Sequence, residues 1–158
     1  MNRILAAATL AAALAFAPPA RAQDKAADAA DLQALKLAVR SDKRAVVASA
    51  MKLTDAEASK FWPLYDEFQK KIDALNRRNT RLIEDVVAQH RPLSDVLAKS
   101  VLKESLAIDA EEVRTRRAYQ NRLSRVLPAA KVLRYLQLEN KIKTIQDYEI
   151  AAVMPLVD

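Results

Sequence analysis

Leu53-Thr54-Asp55-Ala56-Glu57-Ala58-Ser59-Lys60-Phe61-Trp62-Pro63-Leu64-Tyr65-Asp66-Glu67-Phe68 decides the fold. Thr54 is a good helix N-cap, and Glu57 stands three residues on, which makes a capping box. The Thr hydroxyl can accept from the Glu57 amide, and the Glu57 carboxylate can reach back to the Thr54 amide. Leu53 and Ala58 occupy the positions of a hydrophobic staple. Such a cap is worth about 1 kcal/mol. The same stretch holds the only Trp and two of the three Phe.

A long amphipathic pattern starts here. Phe61, Tyr65, Phe68, Ile72, Leu75, Leu82 and Val86 are spaced by four and three, with Asn79 in the remaining seam position. This heptad pattern fits a helix packed against a long neighbour. Pro63 removes a backbone donor and crowds the Ser59 carbonyl, so a kink at Trp62-Pro63 is expected, or a short first helix that hands over there.

Working outward, His90-Arg91-Pro92-Leu93 breaks the pattern, and Ser94 or Asp95 caps a next helix to about Val126. Its apolar positions are Leu97, Leu102, Leu106, Val113, Leu123 and Leu127, while the heptad continuation falls on Asp109, Arg116 and Gln120. A short break between long helices makes an antiparallel hairpin. Pro128 suits the first turn of a last helix. Its stripe is Val132, Tyr135, Leu138, Ile142, Ile145 and Glu149, widened by Leu133 and Leu136, and Met154 to Val157 is an apolar tail. Upstream, Leu32, Leu35, Val39, Val46 and Ala50 give helical spacing to about Met51, with a weak point at Ser41-Asp42.

The chain has 158 residues, no Gly and no Cys. A hairpin-rich β fold would want Gly at positive-φ turns. The fold class read here is all-α, a four-helix cradle or bundle with a long central antiparallel hairpin. Without Cys there is no disulfide, thiolate metal site or Cys nucleophile.

Arg3, the apolar run Ile4 to Ala17, Pro18-Pro19 and Ala20-Arg21-Ala22 read as a signal peptide cleaved after residue 22. The alternative is an uncleaved N-terminal anchor. The expected order is residues 1–22 as leader, 23–30 as flexible lead-in, and 31–158 as one helical domain in the periplasm. Losing Arg3 and Arg21 leaves 24 basic and 20 acidic residues, a net charge of +4. Export argues against nucleic acid as the partner, and favours acidic polypeptide segments or anionic lipid surfaces.

Leu53-Thr54-x-x-Glu57 followed by Phe61-Trp62-Pro63-x-Tyr65 resembles the Leu-Thr-x-x-Gln motif of the Spy/CpxP-like periplasmic proteins. Leu127-Pro128-Ala129-Ala130-Lys131 sits where that family has a second such motif. Glu57 and Lys131 stand where the family favours Gln. The chain looks closest to exported members that share Phe-Trp-Pro-x-Tyr and a segment like Tyr135 to Lys141. The resemblance implies a cradle-like helical protein that usually dimerises. It further implies an ATP-independent chaperone, a stress-sensor accessory or a metal-responsive sensor.

No catalytic constellation is visible, and the chain is read as a non-enzyme without cofactor or metal. His90 is the only His, and reads as a solvated loop residue. Asp109, Glu111 and Glu112 stand among Arg114, Arg116 and Arg117, which suits a salt-bridged surface better than an acid/base pair. Arg77, Arg78, Arg81, Arg91, Lys99 and Lys103 gather near the hairpin tip. They read either as a solvated face or as a surface for acidic client segments or lipid headgroups. Trp62 belongs either to the core or, if Pro63 turns it outward, to a client or partner surface. The function expected is that of a periplasmic chaperone or envelope-stress accessory that binds unfolded or partner polypeptides. The alternatives are a regulatory module for the periplasmic domain of a membrane sensor, and lipid association through the basic face.

Overall fold

The computed structural model describes residues 20–89, 92–154 and Leu156. Most of the expected leader, together with His90 and Arg91 and with Pro155 and Val157 of the tail, lies outside the described residues. The described residues form four helices and no strand: α1 Ala20–Met51, α2 Asp55–Val87, α3 Asp95–Leu123 and α4 Ala129–Val153. Residues up to Leu35 and residues from Lys36 onward form separate compact units. In the first unit the chain is helical from Ala20, taking in residues 23–30, expected as a flexible lead-in. Its run of Ala has the highest helix propensity of any residue.

The second unit holds the packed core. At Asp42 (φ −155°, ψ 93°) the backbone leaves the helical region, and the Asp42 carboxylate accepts from the Ala45 amide at 2.9 Å, capping the restart. The break expected at Ser41-Asp42 is therefore present. It also shifts the helical phase: Val47 and Met51 are fully buried, while Val46 and Ala50, expected inside, are half-buried. Lys52 then turns the chain with φ 45°.

α2 is capped as its sequence demands. Thr54 Oγ1 accepts from the Glu57 amide at 3.3 Å, and Glu57 accepts from the Thr54 amide at 2.8 Å. The helix runs unbroken through Pro63, whose ring is exposed. The short first helix entertained above is thus corrected. Pro63 forfeits one bond to Ser59, but Phe61, Tyr65 and Phe68, all buried around it, hold both sides of the helix to one core. Ile72 and Leu75 continue the buried stripe, and Leu82 and Val86 are half-buried.

α3 follows a Ser94 cap, whose hydroxyl accepts from the Leu97 amide at 3.3 Å. It lies antiparallel to α2, since Glu67 meets Arg122 while Arg78 meets Glu104 and Glu111. Its buried residues are Ile108, Tyr119 and Leu123. Leu102, Leu106 and Val113, expected on the inner face, are exposed at 63%, 68% and 59%. The helix carries two apolar stripes about 115° apart, given about 100° per residue. The inner one, Ile108, Tyr119 and Leu123, is continuous with α2's aromatics, Tyr119 stacking on Phe68.

α4 starts at Ala129 after Pro128, whose carbonyl accepts from the Val132 amide at 3.1 Å. Val132, Tyr135, Ile142 and Ile145 are buried as expected, but Leu133 is exposed and Glu139, at 3% exposure, takes the inner position instead of Leu138. Tyr135 is the hub of the core. Phe61, Tyr65 and Tyr119 meet it edge-on with ring centroids 5.3, 6.3 and 5.6 Å away, and Phe68 stacks on Tyr119 at 4.2 Å. Edge and offset arrangements of this kind add about 0.5–1.5 kcal/mol per pair beyond area burial.

Candidate functional site

The two motif sites meet. The Lys131 ammonium, one turn into α4, donates to the Glu57 carboxylate and, at 3.3 Å, to the Lys52 carbonyl. One carboxylate oxygen thus closes the capping box of α2 and ties α2 to α4. The Lys131 hydrogen bond, followed by the Thr54 amide, holds the Glu57 carboxyl below its ordinary value. Leu53 and Leu127, the leading residues of the motifs, lie half-buried and buried against the same core. Thr54, Glu57, Phe61, Pro63, Tyr65, Leu127 and Pro128 are therefore parts of a structural junction. Nothing in their arrangement offers a reactive group.

Trp62 is half-buried. Its indole meets Phe61 and Tyr65 edge-on at 5.0 and 5.3 Å. The Arg44 guanidinium lies over its other side, 4.2 Å from the ring centroid, and also pairs with Asp66. The ring is thus sandwiched between the core and a cation.

Glu139 was not singled out by its sequence position, yet it centres a buried polar network. Its carboxylate accepts from Lys43 at 3.0 Å, from Gln69 at 3.0 Å and from the Tyr135 hydroxyl at 2.8 Å. Full pairing is what makes a buried carboxylate tolerable. Burial pushes the Tyr135, Tyr119 and Tyr65 hydroxyls far above their ordinary range, and Glu139 adds to each shift. The Tyr119 hydroxyl is buried with no hydrogen-bond partner among the described residues. The available signal for this network was a carboxylate four residues after Tyr135, which helix spacing puts on the same face as the tyrosine.

Beside Glu139 a groove of about 650 Å³ opens between α2, α3 and α4. Ile72, Leu75 and Ile108 contribute to its lining, along with Glu112, Arg116 and Lys143. Its charges are mostly committed to one another: Arg116 pairs with Glu112 at 2.7 Å, Lys143 with Asp147 at 3.0 Å, and Glu149 with Lys36 and Arg40. Among the described residues, no cluster of three His, Cys, Asp or Glu could hold a metal ion.

The hairpin tip is less uniformly basic than its sequence suggests. Arg78 spans Glu104 at 2.9 Å and Glu111 at 2.6 Å, so it straps α2 to α3. Arg81 Nε donates to the Arg77 carbonyl at 3.3 Å. Lys99 and Lys103 are exposed and make no ion pair among the described residues. Arg91, the remaining member, lies outside the described residues. Lys99 and Lys103 flank the outer stripe of Leu102, Leu106 and Val113, a juxtaposition that the inward assignment of those leucines concealed.

Comparison with protein-family models, with curated proteins and with solved structures found no match to this chain. No helix among the described residues is long and apolar enough to cross a membrane.

Proposed function

We propose that this protein is an exported helical chaperone or envelope-stress accessory, of the kind its two motif sites resemble, which holds unfolded or acidic polypeptide segments without ATP. The observation that carries the reading is the outer face of α3. Three large apolar side chains, Leu102, Leu106 and Val113, stand exposed on one stripe beside Lys99 and Lys103, cations with no ion pair among the described residues. Contiguous exposed apolar surface is a site of contact, and nearby cations attract acidic segments from a distance. A shallow, mixed stripe suits transient holding of varied segments. It supplies no transition-state chemistry.

Mixing the purified protein with an aggregating substrate at stoichiometric ratio tests this. Light scattering is expected to fall, and to recover when Leu102, Leu106 and Val113 are all changed to Ser. Undiminished scattering with the native protein counts against the reading.

A second reading has its own observation. Met154 and Leu156, after α4, are exposed at 38% and 95%. An exposed apolar tail, in a chain that also has a partly basic hairpin tip, suits a regulatory module docking on a membrane sensor's exported domain. Crosslinking in cells separates the two: one defined partner supports the regulator, and a spread of unfolded chains supports the chaperone.

A further inference from the structure

The groove between α2, α3 and α4 is opposite in sign to the chain around it. Six carboxylates and three cations line it, whereas the whole chain carries a net charge of +6. Lys43 serves the buried Glu139 at 3.0 Å, Arg116 serves Glu112 at 2.7 Å, and Glu149 is met by Lys36 and Arg40. Lys143 spans two carboxylates on two helices, Glu112 at 3.4 Å and Asp147 at 3.0 Å. Asp73 on α2 and Asp109 on α3 line the groove with no ion pair among the described residues. Ile72, Leu75, Ile108 and Ile150 supply its apolar surface.

Two of the three lining cations are lysines, Lys43 and Lys143. In each, an ammonium on an alkyl stem borders the groove and bonds a carboxylate there, so the protein's own side chains display the chemistry that fits. We propose that this groove is a binding site for a linear organic polyamine, whose ammonium groups pair with Asp73, Asp109 and the Glu112–Asp147 pair while its alkyl stem lies on Ile72, Ile108 and Ile150. The volume of about 650 Å³ lies within the roughly 300–1,000 Å³ of small-molecule sites. Along α2 the lining runs from Ile72 to Thr80, about 12 Å at 1.5 Å per residue. That length accommodates an extended triamine but only about four residues of extended polypeptide. A bare metal ion leaves the isoleucines unused, and an uncharged alkyl chain leaves the carboxylates unmatched. The ligand competes with Lys143 for Glu112 and Asp147, so Lys143 stands where one of its ammonium groups binds.

Spermidine is the probe, titrated into the purified protein at low salt. Calorimetry should give saturable binding that weakens as salt is added. Methyl NMR should move the signals of Ile72, Ile108 and Ile150 and leave that of Ile83, which lies outside the groove, in place. Asp73→Asn and Asp109→Asn should each weaken binding about fivefold, the upper end for an exposed ion pair. Lys143→Gln should strengthen it by a similar factor, because Glu112 and Asp147 then lose their shared cation. Octanediol, a stem without charge, and magnesium, a charge without a stem, should both bind far more weakly than spermidine. Circular dichroism checks that each variant remains helical.

Absence of saturable binding overturns the proposal outright. An equal loss in Asp85→Asn, an exposed carboxylate outside the groove, reveals diffuse attraction to the surface and overturns the site. Magnesium that matches spermidine does the same. Tighter binding of a tetralysine peptide, with shifts at the same methyl groups, assigns the groove to the lysines of a polypeptide and overturns the polyamine. Lys143→Gln without a gain overturns the contact with Glu112 and Asp147. The site shares no residue with the outer stripe of Leu102, Leu106 and Val113, so none of these outcomes bears on the chaperone reading, and failure to suppress aggregation leaves the groove untouched.

Discussion

The Lys131 ammonium joins the end of α1 to the starts of α2 and α4, because it donates both to the Lys52 carbonyl and to the Glu57 carboxylate. At the two positions where the resembled motif favours Gln, this chain places a Glu and a Lys, and the two meet across 74 residues of sequence. Both departures from the motif are thus two halves of one contact. Glu57→Gln and Lys131→Gln are each expected to lower the melting temperature by a few degrees. The double variant should lose less than the sum of the two, because Gln still serves in a capping box and neither charge is left alone. Thermal unfolding of the four chains forms the cycle, and strict additivity would show the contact to be incidental.

The Tyr119 and Tyr135 hydroxyls predict opposite outcomes. Tyr119 buries its hydroxyl without a hydrogen-bond partner among the described residues, whereas the Tyr135 hydroxyl donates to Glu139 at 2.8 Å. An unmade bond carries the full desolvation cost of the group, and a bond to a charged acceptor is worth about 1.5–3 kcal/mol. Tyr119→Phe should therefore gain roughly 1 kcal/mol and Tyr135→Phe should lose about 2 kcal/mol. Shifts of the urea midpoint at constant slope measure both. A loss on Tyr119→Phe would mean that its hydroxyl has a partner after all.

How far the fold was legible depends on how many apolar stripes each helix carries. α2 has one, and Phe61 to Leu75 were placed correctly from spacing alone. α3 has two, and the one richer in Leu faces outward, so periodicity chose the wrong face for Leu102, Leu106 and Val113. On α1 the Asp42 break was visible, but the phase shift it imposes was not, since that depends on backbone angles. Glu139 replaced Leu138 inside because Lys43 and Gln69, on other helices, meet it there. Arg78 left the basic tip for the same kind of reason: its carboxylate partners lie across the hairpin. Helix spacing is local and readable, whereas charge partners are set by tertiary contact.

Acid titration should destabilise the fold through its strapped carboxylates. Arg122, with Lys71, holds Glu67 at about 2, against an ordinary 4.5, and Lys36 with Arg40 holds Glu149 below its ordinary value. A carboxyl lowered in the folded state binds fewer protons there than in the unfolded chain. Its contribution is complete above 4.5 and is lost as pH falls through the folded value. The unfolding midpoint is expected to fall between pH 4.5 and about 2, and Glu67→Gln should make that fall shallower. High salt should mimic part of the change, because these groups face solvent.

Lys52 offers a stabilising substitution. Its φ of 45° lies in the left-handed region, at about 1–2 kcal/mol for a side chain bearing Cβ. Lys52→Gly removes that strain but loosens the unfolded chain by about 0.4–1 kcal/mol, so the net gain is below roughly 1 kcal/mol. Lys52→Val should lose at least about 1 kcal/mol, since β-branching resists this conformation. Denaturant midpoints rank the three chains Gly, Lys, Val. The Lys131 contact survives in all of them because it uses the backbone carbonyl.

Trp62 reports its own surroundings, being the only Trp in the chain. Its inner edges rest on Phe61 and Tyr65, and Arg44 covers the rest. Arg44 is itself held by Asp66, so the cover is fixed in place by a second bond. Arg44→Ala should uncover the indole without disturbing the aromatic core. The expected result is a red shift in emission, stronger quenching by acrylamide, and a loss of about 0.5–1 kcal/mol in stability. Arg44→Lys keeps the charge but loses the flat guanidinium, so its quenching should fall between the two. Asp66→Asn separates cover from charge: if Arg44 lies over Trp62 only because Asp66 holds it there, quenching should rise as it does in Arg44→Ala. Unchanged quenching in Asp66→Asn together with increased quenching in Arg44→Ala would show that the indole face alone holds the guanidinium.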